Sequence, residues 1–159
     1  MEARFNCMKA APRGYGAMLG LEKYLQECGL EQSLLHLIKL RASQVNGCAY
    51  CLDMHWKDLQ AIGEKEQRMY SLDTWRECPY YTERERAALA WTEAVTLITE
   101  GHVPDAVYEE ARRHFSEEEL IHLSMSVVAI NGWNRLAIAF RAVPGAYQPA
   151  VRKAEGARQ

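Results

Sequence analysis

Long apolar runs are missing from this 159-residue chain. The best candidates are interrupted by charge or Asn before they reach the roughly 18 residues that a membrane span needs, so no membrane partner is expected. Charge of one sign is missing too, with 19 Lys+Arg against 21 Asp+Glu and a net charge of −2. That removes any general attraction to nucleic acid or an anionic lipid surface. Residues 1–8 (Met-Glu-Ala-Arg-Phe-Asn-Cys-Met) carry no apolar signal core, and five cysteines at unrelated spacings build no disulfide framework. A reducing cytoplasm is the expected compartment, where a close Cys pair serves redox or metal chemistry rather than scaffolding. No segment alternates with period two over a useful length, so no strand is expected, and no repeat or low-complexity tract is visible.

Helical periodicity is what remains. Apolar positions spaced three and four apart predict helices over 15–28, 31–45, 48–62 and 64–72. Thr82-Glu-Arg-Glu85 and Ser116-Glu-Glu-Glu119 have the capping-box pattern and open helices through Ile98 and to about Arg141. Between them Val103-Pro104-Asp105 starts a short one. The helix after Ser116 is apolar nearly all round, which implies burial on every side, with a second subunit as one way to cover the surplus. The expected fold is all-α, a bundle of six or seven helices in a single domain spanning 1–159. Its core covers about 15–141, flanked by an extended arm over 1–14 and a loose tail over 145–159 that carries Arg152, Lys153 and Arg158.

Chemistry is concentrated in residues 44–56, Gln-Val-Asn-Gly-Cys-Ala-Tyr-Cys-Leu-Asp-Met-His-Trp. Cys48, Cys51 and His55 stand at i, i+3 and i+7, which at about 100° per residue fall within roughly a 60° arc of a helix. Asn46-Gly47 is turn chemistry and puts Cys48 in a first helical turn, where the dipole favours a thiolate. A three-residue step brings two Cα atoms to about 5 Å, within reach of a reversible disulfide. A haem attachment site needs His directly after the second Cys, and Leu52 stands there. A thioredoxin-type site needs a preceding strand. Zinc would take Cys48, Cys51 and His55 with His36 or Cys78 as fourth ligand, but the second short ligand pair of a structural site is absent.

Dithiol catalysis is the reading that remains. His55, one turn beyond Cys51, is placed to take its proton, making Cys51 the nucleophile toward a peroxide oxygen and Cys48 the thiol that closes the disulfide. The helix dipole pulls the other way, toward Cys48, by an amount typically under about 1 kcal/mol. No metal and no organic cofactor is required.

The run over 34–55 (Leu-Leu-His-Leu-Ile-Lys-Leu-Arg-Ala-Ser-Gln-Val-Asn-Gly-Cys-Ala-Tyr-Cys-Leu-Asp-Met-His) resembles the core of the alkylhydroperoxidase D family, within the carboxymuconolactone decarboxylase superfamily. Two later stretches, 85–93 (Glu-Arg-Ala-Ala-Leu-Ala-Trp-Thr-Glu) and 131–135 (Asn-Gly-Trp-Asn-Arg), resemble its single-domain branch. The resemblance implies an all-helical fold assembled as dimers, trimers or hexamers. It also implies a cycle in which the second Cys reacts with a small hydroperoxide and the first resolves, the pair being regenerated by a dithiol reductant such as a lipoylated or thioredoxin-like protein. One position departs from the family pattern. His36 stands twelve residues before Cys48, where the family has Glu, so His36 becomes a candidate proton relay and the carboxylate that would hold His55 must come from elsewhere. Glu93 is one candidate.

Around these, Tyr50 is a possible hydrogen-bond neighbour of the thiols or plain packing. Asn131, Asn134 and Arg135 read as structural polar groups that cap neighbouring elements, His102, His114 and His122 as structural, and Cys7, Cys28 and Cys78 as ordinary thiols. The function classes left open are a thiol peroxidase, a disulfide-reductase or redox-sensing module using the same dithiol, and a decarboxylase-like member of the superfamily. The last has no need of the Cys pair.

Overall fold

Two capping boxes fix where the second half of the molecule turns helical. Thr82 Oγ1 accepts from the Glu85 amide while the Glu85 carboxylate accepts from the Thr82 amide, and Ser116 and Glu119 repeat the exchange, satisfying first-turn N–H groups that no intrahelical carbonyl can reach. The computed structural model describes residues 2–149, and among these it is entirely helical. The order is α1 Cys7–Ala10, α2 Pro12–Glu27, α3 Gln32–Asn46, α4 Ala49–Ala61, α5 Glu66–Tyr70, a 3-10 turn Leu72–Thr74, α6 Glu83–Thr96, α7 Asp105–His114 and α8 Glu117–Phe140.

Among the described residues eight α-helices stand where six or seven were expected. The additional one is α1, a single turn capped by the Asn6 side chain, inside the segment read as an extended arm. Pro12, placed in the same arm, is instead the first residue of α2, a position where its missing N–H costs nothing.

The centre of the bundle is α3, which packs on α4, α6 and α8. Leu37, Ile38, Leu40 and Ala42 are fully enclosed, in keeping with apolar residues on more than one of its faces. By contrast α8 is not enclosed by its own chain. Leu123, Val127 and Ile130 are buried, while Ile121 and Val128 stay 61% and 56% exposed, on a face shared with Met125. Its inner face runs beside α2, where Gly132 leaves room for the Met18 side chain.

The segment after α8 does not hang free as expected. Gly145 donates its amide to Asp53, Lys57 reaches the carbonyls of Gly145 and Tyr147, and Tyr147 donates its hydroxyl to Asp58. Residues 145–147 are thus a strap laid across α4. Arg152, Lys153 and Arg158 lie outside the described residues.

Candidate active site

A sharp corner between α3 and α4 creates the thiol pair. Gly47 ends α3 in the left-handed region, at φ 67°, a conformation that costs a residue with a Cβ about 1 kcal/mol or more. Its amide returns to Gln44 O at 3.1 Å and that of Cys48 to Ser43 O at 3.0 Å. Cys48 is then extended and caps α4, one residue short of the first turn that the spacing predicted. The Sγ atoms of Cys48 and Cys51 lie 2.8 Å apart, both reduced and both buried.

The two sulfurs differ in environment. Cys48 is brought down to about 7, chiefly because the Cys51 thiol hydrogen-bonds to it; burial opposes this, and the first-turn amides of Cys51 and Tyr50 and the Asn134 side chain add to it. Cys51 moves well above the ordinary thiol range because it shares that proton and is buried. Asn134 accepts from Asn46 Nδ2 at 2.8 Å and donates to Ser43 Oγ at 3.1 Å, so it pins the end of α3 to α8 behind the pair. That is the structural role expected of it, with contact to the thiols in addition.

Only Cys51 reaches the cavity in front. This cavity, of about 810 Å³, has an apolar portion built from Phe5, Leu19, Met54, Trp133 and Phe140 and a polar end built from His36, Lys39, His55, Asp58 and Tyr147. Tyr50 lines it as well, with its hydroxyl held protonated above the usual range by burial. Lys39 is neutralised at the wall by Glu22, 2.5 Å away, whose other oxygen accepts from Trp133 Nε1.

His55 turns toward Asp58, not toward the cysteines. Nδ1 of His55 is 3.3 Å and Nδ1 of His36 3.6 Å from Asp58 Oδ2, close but without hydrogen-bond alignment, and both nitrogens are buried with no hydrogen-bond partner. Among the described residues no hydrogen bond joins His55 to either sulfur, so the placement expected from the i,i+4 spacing is not met. Burial pushes both imidazoles down, His36 to about 4 with help from His55, so both are neutral at pH 7; Asp58 acts in the opposite direction on each. Burial resists ionisation of Asp58 itself, yet His55, Tyr147 and His36 outweigh it and hold the carboxylate below its usual range.

Asp58 therefore stands where Glu93 was expected. Glu93 is drawn instead into a separate cluster with Arg41 at 2.7 Å, Arg76 at 2.6 Å and Trp75 Nε1 at 2.8 Å. A signal for Asp58 was present, since it lies three residues after His55 and seven after Cys51, on the same face of α4. Tyr147 gave none, because the polar stretch after Pro144 carries no periodicity. Elsewhere His114 pairs with Glu110, His122 stacks on Tyr24 and Cys28 bonds to Leu25 O, all as ordinary structural groups.

An all-helical bundle with a buried Cys-x-x-Cys corner and a paired histidine defines a recognisable class. The sequence model of the carboxymuconolactone decarboxylase family matches residues 10–94, and the chain belongs to that family as an AhpD-like member. The Bacillus subtilis (strain 168) protein YdfG is 42% identical over 139 residues, 87% of this chain and 95% of its own. The crystal structure of ATU0492 from Agrobacterium tumefaciens, described as of unknown function and as a candidate antioxidant defence protein AhpD, superposes with a TM-score of 0.89. It has 46% identity and covers 92% of this chain and all of that one. The alkylhydroperoxidase AhpD core protein of Ralstonia eutropha JMP134, at 21% identity, shares the fold with a TM-score of 0.77 over 87% of this chain and 74% of its own.

Proposed function

We propose that this chain is a thiol-dependent peroxidase of the alkyl hydroperoxide reductase type. The observation that carries the reading is the 2.8 Å Sγ–Sγ pair, of which Cys51 alone lines the cavity. Above about pH 7 the pair holds one proton. When that proton sits on Cys48, the thiolate on Cys51 faces the cavity.

Cys51 Sγ attacks the terminal oxygen of an organic hydroperoxide, the O–O bond breaks, and Cys51 becomes a sulfenic acid. His55, with Asp58 and His36 beside it at the polar end of the cavity, passes a solvent proton to the departing alkoxide, which leaves as the alcohol. The Cys48 thiol then attacks Cys51 Sγ, and its proton departs with the displaced hydroxide as water. Two thiols and a hydroperoxide thus give a disulfide, an alcohol and water. A dithiol, lipoyl-bearing or thioredoxin-like, restores the pair by exchange in the cytoplasm.

The protein works as a homo-oligomer, a proposal supported by the apolar face of α8 that its own chain leaves uncovered. Among the described residues no helix is long and apolar enough to cross a membrane.

One observation favours a second reading. The charge rests more easily on Cys48 than on Cys51, as suits a disulfide reductase whose first cysteine attacks a substrate disulfide. Peptide-mapped mass spectrometry after one equivalent of cumene hydroperoxide separates the two. The peroxidase reading requires a Cys48–Cys51 disulfide within seconds in the native protein and a trapped Cys51 sulfenic acid in Cys48→Ser. Thiols that stay unoxidised for minutes would remove it, and a mixed disulfide trapped on Cys48 in Cys51→Ser when oxidised glutathione replaces the hydroperoxide would put the reductase in its place.

A further inference from the structure

Two imidazoles and a carboxylate at the polar end of the cavity have no hydrogen-bonded arrangement of their own. The ligand atoms of His36, His55 and Asp58 lie within 4.8 Å of one another. Both Nδ1 atoms are buried and unpartnered, and the His55 side chain is only 6% exposed. Leaving one such group unsatisfied costs roughly 1–3 kcal/mol, and here two of them lie beside the same carboxylate oxygen.

Ligands bonded at roughly 2.0–2.1 Å to one ion stand about 3–3.5 Å apart, and the two His–Asp distances, 3.3 and 3.6 Å, are close to that. The three ligand atoms lie within 4.8 Å of one another, so a small closing movement of the imidazoles completes the set. The carboxylate is also divided in the way metal ligands are. Asp58 Oδ1 accepts the Tyr147 hydroxyl at 2.7 Å, which leaves Oδ2 free and fixes its direction, the part that an outer hydrogen bond plays around bound metals. The neighbouring Lys39 does not put a free positive charge beside the site, because Glu22 neutralises it.

We propose that His36, His55 and Asp58 bind one divalent transition-metal ion of the zinc, cobalt or nickel kind, with its remaining coordination positions facing the cavity. Imidazole nitrogen with a single carboxylate oxygen suits these ions over magnesium or calcium, which require an oxygen shell. The cysteines are not part of this site, in contrast to the zinc arrangement that the Cys-x-x-Cys spacing suggests. The site shares His55 with the peroxidase reading, so a bound ion and proton transfer compete for one imidazole. Neither claim depends on the other, since metal binding is measured without peroxide and peroxide oxidation on chelated protein.

The test is titration of the full-length, chelator-stripped protein with Co²⁺ followed by visible absorption, and with Zn²⁺ followed by calorimetry. The expected result is one saturable equivalent at micromolar or tighter affinity, lacking the near-ultraviolet band of a cobalt–thiolate bond. Binding should be unchanged in a Cys48→Ser/Cys51→Ser double variant and lost in Asp58→Asn and in His36→Gln. Tyr147→Phe, which removes no ligand, should weaken it by about tenfold or more, and it serves as the deciding variant if either ligand substitution disturbs the helical circular dichroism of the metal-free protein. No saturable binding, binding that disappears with the cysteines, or binding indifferent to Asp58 and Tyr147 would overturn the proposal.

Discussion

Asp58 Oδ2 stands 3.3 Å from His55 Nδ1, three residues away on α4, so the carboxylate charge beside this imidazole comes from its own helix. Replacing the carboxylate by an amide removes the charge that raises His55. Asp58→Asn, kept metal-free with chelator, should slow single-turnover disulfide formation by about tenfold to a hundredfold, the lower end of what general acid–base catalysis supplies. Stopped-flow tryptophan fluorescence reads the rate, and a rate equal to the native one would remove Asp58 and His55 from the proton path. The imidazole resonance of His55 should move to a still lower titration midpoint in the same variant, which a merely structural role for Asp58 would not produce.

The thiol pair predicts a pH dependence. In a background with Cys7, Cys28 and Cys78 replaced by Ser, thiolate absorbance at the ultraviolet edge should show a first midpoint near 7, lost in Cys48→Ser, and no second one within the ordinary thiol range. Peroxide oxidation should accelerate as pH rises through that first midpoint. The sign for stability follows, because a thiol depressed on folding has released its proton between about 7 and 9 where the unfolded chain still holds it. Folding stability therefore rises with pH across that window and is lost as pH falls through 7. Urea midpoints at the two ends of the window check this, and the slope should flatten in Cys48→Ser.

Behind the pair, Asn134 is fully buried and is shared among Asn46, Ser43 and the sulfurs. Asn134→Ala should cost about 1–3 kcal/mol, since it orphans enclosed polar partners, and should move the first thiol midpoint upward. Urea unfolding and the thiolate titration read the two effects separately. A loss of stability without a change in the midpoint would confine Asn134 to packing.

Ile121, Met125 and Val128 recur at i, i+4 and i+7 on the outer face of α8, the spacing of one apolar stripe. Val128→Glu should dissociate the assembly to monomers in light scattering while leaving the helical content unchanged. A native protein that is already monomeric at micromolar concentration would show that the stripe is not an interface.

How far these features could be read from the chain depended on how local they are. The capping boxes at Thr82 and Ser116, the stop at Gly47 and the apolar faces of α3 were visible because each is decided within one or two turns of helix. So was the closeness of Cys48 to Cys51. What could not be read was decided across the bundle. The polar tail had no pattern to show that Tyr147 would fold back onto Asp58, and the pairing of Glu93 with Arg41, Arg76 and Trp75 depends on how α3 and α6 meet. Even the direction in which His55 points was settled by burial and by Asp58, not by the helical spacing that placed it near Cys51.

Cys48 and Cys51 are each about 1% exposed, but of the two only Cys51 lines the cavity, and that arrangement fixes the order in which an oxidised pair comes apart. An incoming thiol meets only the front sulfur, so the rear sulfur is the one released. Thiol exchange runs faster when the departing sulfur is the more acidic, and Cys48 is the more acidic of the two. In the proposed cycle the concealed cysteine is the leaving group of the return reaction, and the corner at Gly47 that sets it at the head of α4 governs how readily that cycle is recharged.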